Sequence, residues 1–136
     1  KDFKIVIENE SRNKEFNNIM IYYPSKLFEK YNKEYFPVVI FSNPEGVQYK
    51  NYENVLKHLS SYGFIVVGND DVGADDKTLI NVIDELHKVN NDRYHQFWNK
   101  LNLNEIGLVG YYQGTLPILH LLNQIIFPLF ALFLQI

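Results

Sequence analysis

The chain has 136 residues, 46% of them hydrophobic, which is enough for a single domain with a buried core. Its 13 basic and 16 acidic residues give a formal net charge of -3 and form no basic run, which argues against nucleic-acid binding. The lack of cysteine excludes a disulfide framework and thiolate metal sites but does not identify a compartment.

Two strands are predicted near the start of the chain. Apolar and β-branched residues at 3–7 and 19–23 flank the polar cluster 8–14, a pattern typical of two strands joined by a turn. Residues 25–34 are polar and are predicted to be helical or irregular. The apolar run 36–41 then favours a strand buried on both faces of a parallel sheet.

Helices and strands alternate from there on. Residues 51–62 have helical spacing and end at Gly63, a typical helix C-terminal residue, and residues 64–67 read as the next buried strand. A second helix is predicted over 75–89, with Asp75 or Asp76 as its cap and one apolar face made of Leu79, Val82, Ile83, Leu86 and Val89.

A polar stretch separates the second helix from the last predicted strand of the alternating part. Residues 90–104 are interpreted as a short helix or ordered loop, and residues 105–109 as a strand. We expect the aromatic side chains within this stretch to cover the core: Tyr94, Phe97 and Trp98. The resulting order, two strands and then β-α-β-α-β-α, predicts a doubly wound α/β sheet whose ligands gather at the carboxyl ends of the strands.

The apolar tail extends over residues 125–134. It is shorter than the roughly 20 apolar residues that a membrane-spanning helix needs. A buried strand is therefore favoured over a spanning helix, and membrane association is not expected.

The sequence Gly110-Tyr111-Tyr112-Gln113-Gly114 has the spacing of a nucleophile elbow, G-x-S-x-G. In such an elbow two glycines allow a tight turn from a buried strand into a helix, so that the central side chain is presented at the sheet edge. Here tyrosine occupies the serine position. A phenol, with an ordinary pKa near 10, is a poor acyl nucleophile, and its ring would fill space needed by a substrate.

Three segments together resemble α/β hydrolases of the chlorophyllase-like and polyester-hydrolase (cutinase-like) group. Residues 36–46 are similar to that group's third strand and oxyanion loop, and residues 52–69 to its next helix and strand. Residues 106–114, IGLVGYYQG, resemble its elbow I-G-V-x-G-H-S-Q-G. The resemblance covers about residues 19–124. It implies a three-layer α/β-hydrolase-like fold, with a mostly parallel sheet, an N-terminal antiparallel pair and an incomplete C-terminal part.

The resemblance also implies roles for individual residues. Tyr112 takes the nucleophile position, Gly110 and Gly114 are the elbow glycines, and the backbone N–H groups of Gln113 and Glu45 form the oxyanion hole. No cofactor and no metal are implied.

Departures from the family pattern bear on activity. Tyr111 replaces the usual histidine, and Pro44 replaces a glycine and restricts the oxyanion loop. The acid and histidine of the triad follow the nucleophile in this fold, yet no Asp or Glu and only His120 follow Tyr112 in this sequence. We therefore expect a relative of carboxylic-ester hydrolases that is inactive or nearly so, with a small ester as substrate if it is active.

A non-catalytic binding or interaction domain is the alternative function. Its exposed sheet edge or apolar tail could be covered by a partner or by a second copy of the chain. A truncated or altered gene product is a third interpretation.

The other polar candidates are interpreted as structural. His58 lies on a predicted helix, His120 lies on the helix after the elbow, and His87 and His95 have no metal-ligand spacing. The acidic group after the second buried strand is a conceivable cation site, but a solvated loop with a helix cap is favoured: Asp70, Asp71, Asp75 and Asp76.

Overall fold

The structure is a computed structural model, which describes residues 2–8, 18–29, 35–71, 73, 75–124 and 129–134. Within these ranges six strands form one sheet in the order β1-β2-β4-β3-β5-β6. The strands are β1 (Asp2–Glu8), β2 (Asn18–Pro24), β3 (Phe36–Ser42), β4 (Ile65–Asn69), β5 (Leu101–Tyr111) and β6 (Leu129–Leu134). The helices are α1 (Glu53–Ser61), α2 (Asp76–Asn91) and α3 (Thr115–Gln124), and short 3-10 turns occupy Ser25–Phe28, Tyr49–Tyr52 and Tyr112–Gly114.

The sheet is mixed. Strand β2 pairs antiparallel with both β1 and β4, which confirms the predicted N-terminal antiparallel pair, and the four strands β3 to β6 are parallel. The chain passes from β3 through α1 to β4 on one side, and then returns through α2 to β5 on the other side of β3. This reversal makes the carboxyl ends of β3 and β5 the switch point of the sheet, where ligands of such folds bind.

Helices cover both faces of the sheet, as expected for a doubly wound fold. In β3, Val38 and Ile40 point into the larger core cluster, which also holds the apolar faces of α2 and α3. The alternate residues Val39 and Phe41 contact the smaller cluster under α1. The nearly continuous apolar sequence of β3 follows from this burial on both faces.

Both helix ends that the sequence predicted are confirmed. At the end of α1 the N–H groups of Tyr62 and Gly63 donate to the carbonyls of Leu59 and Ser60, and Gly63 has a φ of 98°. At the start of α2 the Asp75 carboxylate accepts the backbone N–H of Lys77 at 3.0 Å, so Asp75 rather than Asp76 is the cap.

The predicted start of the last alternating strand is wrong. Strand β5 begins at Leu101, not at residue 105, because Leu101 and Asn102 already pair with Phe36 and Pro37 of β3. The register then shifts, so that Val38 pairs with Ile106. Pro37 has no N–H to donate to the ladder, which accounts for a bulge at this point, and the polar residues of the bulge resemble a loop in the sequence.

The aromatic residues before β5 differ in burial. Phe97 is fully buried and packs edge-on against Tyr23, with ring centroids 6.0 Å apart. Tyr94 and Trp98 are exposed, so the prediction that all three cover the core is right only for Phe97.

The apolar tail contains β6, which pairs in parallel with β5 from Ile106 to Tyr111. The predicted strand is therefore confirmed over Leu129–Leu134. Residues 125–128, like the predicted turn around 9–14 and the segment 30–34, lie wholly or mostly outside the described residues. In the part of the chain that is described, no helix is long and apolar enough to span a bilayer.

Candidate functional site

The turn from β5 into α3 requires both of its glycines. A Cβ at Gly110 would lie 2.7 Å from the carbonyl oxygen of Gly114 and 2.8 Å from Ile118 Cδ1. A Cβ at Gly114 would meet the carbonyl oxygen of Ser42 first and lie 2.9 Å from the carbonyl carbon of Asn43. No ordinary side chain fits at these distances. The glycines therefore let the elbow lie directly against the end of β3.

The structure brings part of the predicted site together. The backbone of Tyr112 lies in the 3-10 turn between β5 and α3, whereas its side chain is outside the described part. Gln113 is half-buried in the same turn, and Glu45 is exposed in the loop after β3. Contact between this loop and the elbow is made by Asn43 and Gly114.

The loop after β3 accommodates its proline. The N–H of Val47 donates to the carbonyl of Pro44 at 3.1 Å, and Gly46 at the third position of this turn has a φ of 76°. A positive φ at the third position is the requirement of a type II turn and is met by glycine. Pro44 stands at the first position, where only its carbonyl is needed, so it fits the turn rather than distorting it.

Asn43 anchors the same loop to the neighbouring strand. Its side chain is 4% exposed, and its Nδ2 lies 3.0 Å from the Asn69 carbonyl oxygen, 3.1 Å from Asn69 Oδ1 and 2.9 Å from the Asp71 carbonyl oxygen. Its Oδ1 is buried and has no hydrogen-bond partner among the described residues. The one sequence signal for Asn43 is its position directly after a buried strand, where polar site residues often stand.

Asp71 extends this network to α2. Thr78 Oγ1 donates to Asp71 Oδ2 at 2.6 Å, and the N–H of Gly73 donates to Asp71 Oδ1 at 3.0 Å. The prediction of a solvated acidic loop is therefore wrong for Asp71, which is buried because hydrogen bonds compensate its carboxylate.

The remaining acidic side chains of this loop also have structural roles. Asp70 accepts hydrogen bonds from the backbone N–H and the side-chain Nδ2 of Asn18, at 3.1 and 3.3 Å. Asp75 caps α2. Within the described ranges no three His, Asp or Glu side chains are grouped so that they could hold a metal ion.

Aromatic rings form one wall beside the elbow. The Tyr52 ring lies between those of Phe41 and Tyr111, with centroid distances of 5.0 and 5.6 Å. Burial raises the pKa of the Tyr52 hydroxyl, and interaction with Tyr111 raises it further. Tyr111 thus packs into an aromatic surface rather than beside a charged group.

Two of the histidines occupy structural positions. His58 is exposed and meets the Tyr62 ring edge-on at 5.1 Å. His95 Nδ1 accepts the N–H of Phe97 at 3.1 Å.

His120 is exposed on α3 and is electrostatically close to Asp75. The pKa of Asp75 is lowered, mainly by the hydrogen bond from the Lys77 N–H, then by a side-chain hydrogen bond with Asp76, and least by interaction with His120. Sequence reasoning missed this proximity because the two residues are far apart in the chain.

No protein-family model matches the chain, and no curated protein matches it either.

Proposed function

We propose that this chain is an α/β-hydrolase-like domain, related to carboxylic-ester hydrolases, that binds an ester-type carbonyl group between the loop after β3 and the elbow without cleaving it. The observation that carries this proposal is the close approach of Gly114 to Ser42 and Asn43. An oxyanion hole needs two backbone N–H groups from these two segments. The close approach that would bring them together is made by Gly114, Ser42 and Asn43.

The proposed lack of turnover follows from Tyr112. Acyl transfer by a hydroxyl requires an adjacent base that takes its proton in the transition state. Phenols are weak acyl nucleophiles. The neighbouring Tyr111 packs against the Tyr52 ring and offers no base to take the proton. Asp75 does not form an acid and base pair with His120, because its carboxylate already accepts the Lys77 N–H at the start of α2.

The test combines turnover with binding. Hydrolysis of p-nitrophenyl acetate is measured for the wild type, Tyr112→Ser and Tyr112→Phe, and thermal melts establish that each is folded. We expect the wild type and Tyr112→Phe to remain at the buffer background. Wild-type turnover that is lost in Tyr112→Phe would make Tyr112 the nucleophile and contradict the proposal.

Binding is measured with an unreactive amide analogue, 4-nitroacetanilide, titrated into the 15N-labelled wild type. We expect amide shift changes at Glu45, Gln113 and Gly114. If these amides do not move while the protein is folded, this crevice does not bind the carbonyl group.

A non-catalytic interaction domain is the second candidate function, and the surface of α3 favours it. Leu116 and Leu119 are both exposed one turn apart on this helix, next to the sheet edge formed by β6 in the described residues. We propose a second copy of the chain as the partner. Light scattering should then show a dimer that Leu119→Lys abolishes. Val55→Lys on α1 is the control, since Val55 and Leu119 are both 46% exposed. A monomeric wild type would exclude this candidate.

A further inference from the structure

A cavity of about 520 Å³ lies at the opposite end of β5 from the elbow. Its volume is within the range of about 300–1,000 Å³ that is typical of small-molecule sites. The cavity is formed by the start of β5, the last turns of α2 and the residue that precedes β3. Its lining residues are Tyr35, His87, Asn90, Leu101, Asn102, Leu103 and Asn104.

The bulge of β5 forms one wall of this cavity. Pairing with β3 stops at Asn102 and resumes at Ile106, and pairing with β6 begins only at Ile106. Residues 103–105 therefore have no partner residue in either neighbouring strand in the described sheet. The Asn104 N–H is already donated to Asn102 Oδ1, so the bulge shapes this wall chiefly through its side chains, a recurrent role of bulges near binding sites.

The side chains around the cavity are mostly polar, and its two apolar members are Leu101 and Leu103. Among its lining residues there is no Asp, Glu, Lys or Arg. Asn102 Oδ1 accepts the N–H of Asn104 at 3.2 Å, so the Asn102 amide nitrogen takes no part in this hydrogen bond. Asn90 holds the wall in place, since its Oδ1 accepts the Leu101 N–H at 3.0 Å and its Nδ2 donates to the Leu101 carbonyl at 3.2 Å.

Tyr35 adds an exposed aromatic surface to this polar wall. Its side chain is 63% exposed, although a tyrosine ring is largely apolar. The face of an aromatic ring is negative and attracts weakly positive C–H groups. A flat ring beside amide groups therefore offers both an apolar face and hydrogen-bond donors and acceptors.

We propose that this cavity binds a neutral, hydroxyl-rich ligand of the monosaccharide class. Each hydroxyl can donate and accept, which matches the side-chain amides of Asn102 and Asn104. The C–H face of the sugar ring packs on the aromatic ring of Tyr35. Charged ligands are disfavoured because the cavity offers no opposite charge to compensate their desolvation. This site is independent of the function proposed for the elbow.

The first experiment maps binding on the folded wild type. D-Glucose and N-acetyl-D-glucosamine are titrated into the 15N-labelled chain, with D-glucuronate and D-glucosamine as charged counterparts. We expect shift changes concentrated at Tyr35, His87 and residues 101–104, with dissociation constants of about 1–10 mM for the neutral sugars and at least fivefold weaker binding of the charged ones. Shift changes that are absent or lie elsewhere, or equal binding of glucuronate, would overturn the proposal.

The second experiment uses variants. Tyr35→Ala and Asn104→Ala are each expected to weaken binding of the neutral sugars at least fivefold. Tyr62→Ala is the matched control, because Tyr62 is a similarly exposed tyrosine (69%) outside the cavity, and it should bind as the wild type does. Unchanged binding in Tyr35→Ala would contradict the stacking role, and loss of binding in Tyr62→Ala would show that the effect is not local.

Discussion

Gly114 lies so close to Asn43 that a Cβ at position 114 would be 2.9 Å from both the carbonyl carbon and the carbonyl oxygen of Asn43. These are backbone atoms, so no side-chain rotation can relieve the overlap. The contact joins the turn after β5 to the loop after β3, two segments that are far apart in the sequence. It fixes the geometry of the switch point of the sheet.

Gly114→Ala should therefore destabilise the protein. Overpacking of this kind typically costs about 1–3 kcal/mol, and the backbone contacts here favour the upper end. Urea unfolding of the two proteins measures the difference. Gly73→Ala is the control, because a Cβ there would lie 3.5 Å from Asp71 Oδ1, which is an ordinary contact. Equal stabilities of Gly114→Ala and Gly73→Ala would contradict the close approach.

Thr78→Val should destabilise the loop that carries Asp71. The substitution nearly conserves shape but removes the hydroxyl that donates to Asp71 Oδ2 at 2.6 Å. Loss of a donor to a buried charged group costs about 1–3 kcal/mol. Thr78→Ser keeps the hydroxyl and should recover most of the stability in the same denaturant titration. A Val variant as stable as the wild type would contradict this role of the Thr78 hydroxyl.

The cap of α2 should make stability depend on pH in the acidic range. The pKa of Asp75 is lowered in the folded state, chiefly by the Lys77 N–H, so its stabilising contribution is present above the ordinary value of 3.8 and is lost as the pH falls through the folded value. Asp75→Ala should cost about 0.5–2 kcal/mol at pH 7.

Asp75→Asn separates the charge of the cap from its hydrogen bond, because asparagine is also a good N-cap. It should unfold with nearly wild-type free energy at pH 7 and show a weaker loss of stability below pH 4 in urea titrations across this range. An unchanged acid dependence in Asp75→Asn would assign that dependence to other carboxylates.

Tyr22 should contribute to loss of stability at high pH. Burial raises the pKa of its hydroxyl strongly, and the hydrogen bond donated to Glu53 Oε1 at 2.7 Å raises it further. The unfolded chain ionises this phenol above pH 10, so stability falls with increasing pH there, by about 1.4 kcal/mol per pH unit for each such group.

Tyr22→Phe should accordingly show a shallower decline of unfolding free energy between pH 9.5 and 11, with phenolate formation followed by ultraviolet absorbance. Tyr62→Phe removes an exposed tyrosine and should leave the decline as it is in the wild type. The same slope in both variants would exclude Tyr22 as the source.

The sequence was sufficient to predict the main elements of the fold. The apolar run of β3, the helical spacing before Gly63 and the apolar face of α2 each have a local signal, because burial on one face imposes a period on the chain. The glycine spacing of the elbow likewise predicted a strand-to-helix turn. These features depend on neighbours within a few residues.

The start of β5 and the burial of Asp71 could not be read in this way. Strand β5 begins among asparagines because its pairing with Phe36 and Pro37 outweighs their low strand propensity. Asp71 looks like a surface residue until Thr78 and the Gly73 N–H are brought to its oxygens. The start of β5 and the burial of Asp71 both depend on tertiary contacts for which the sequence has no local pattern.

The sequence by itself determined the order of strands and helices, the apolar faces of β3 and α2 and the tyrosine at position 112. Only the tertiary structure decided that Asn43 meets Gly114, that Asn43 is anchored to Asn69 and Asp71, and that a bulge in β5 opens a polar cavity at the other end of the sheet. The physical reason is range: periodicity and capping act over a few residues, whereas close backbone packing and buried hydrogen bonds join segments that only folding brings together.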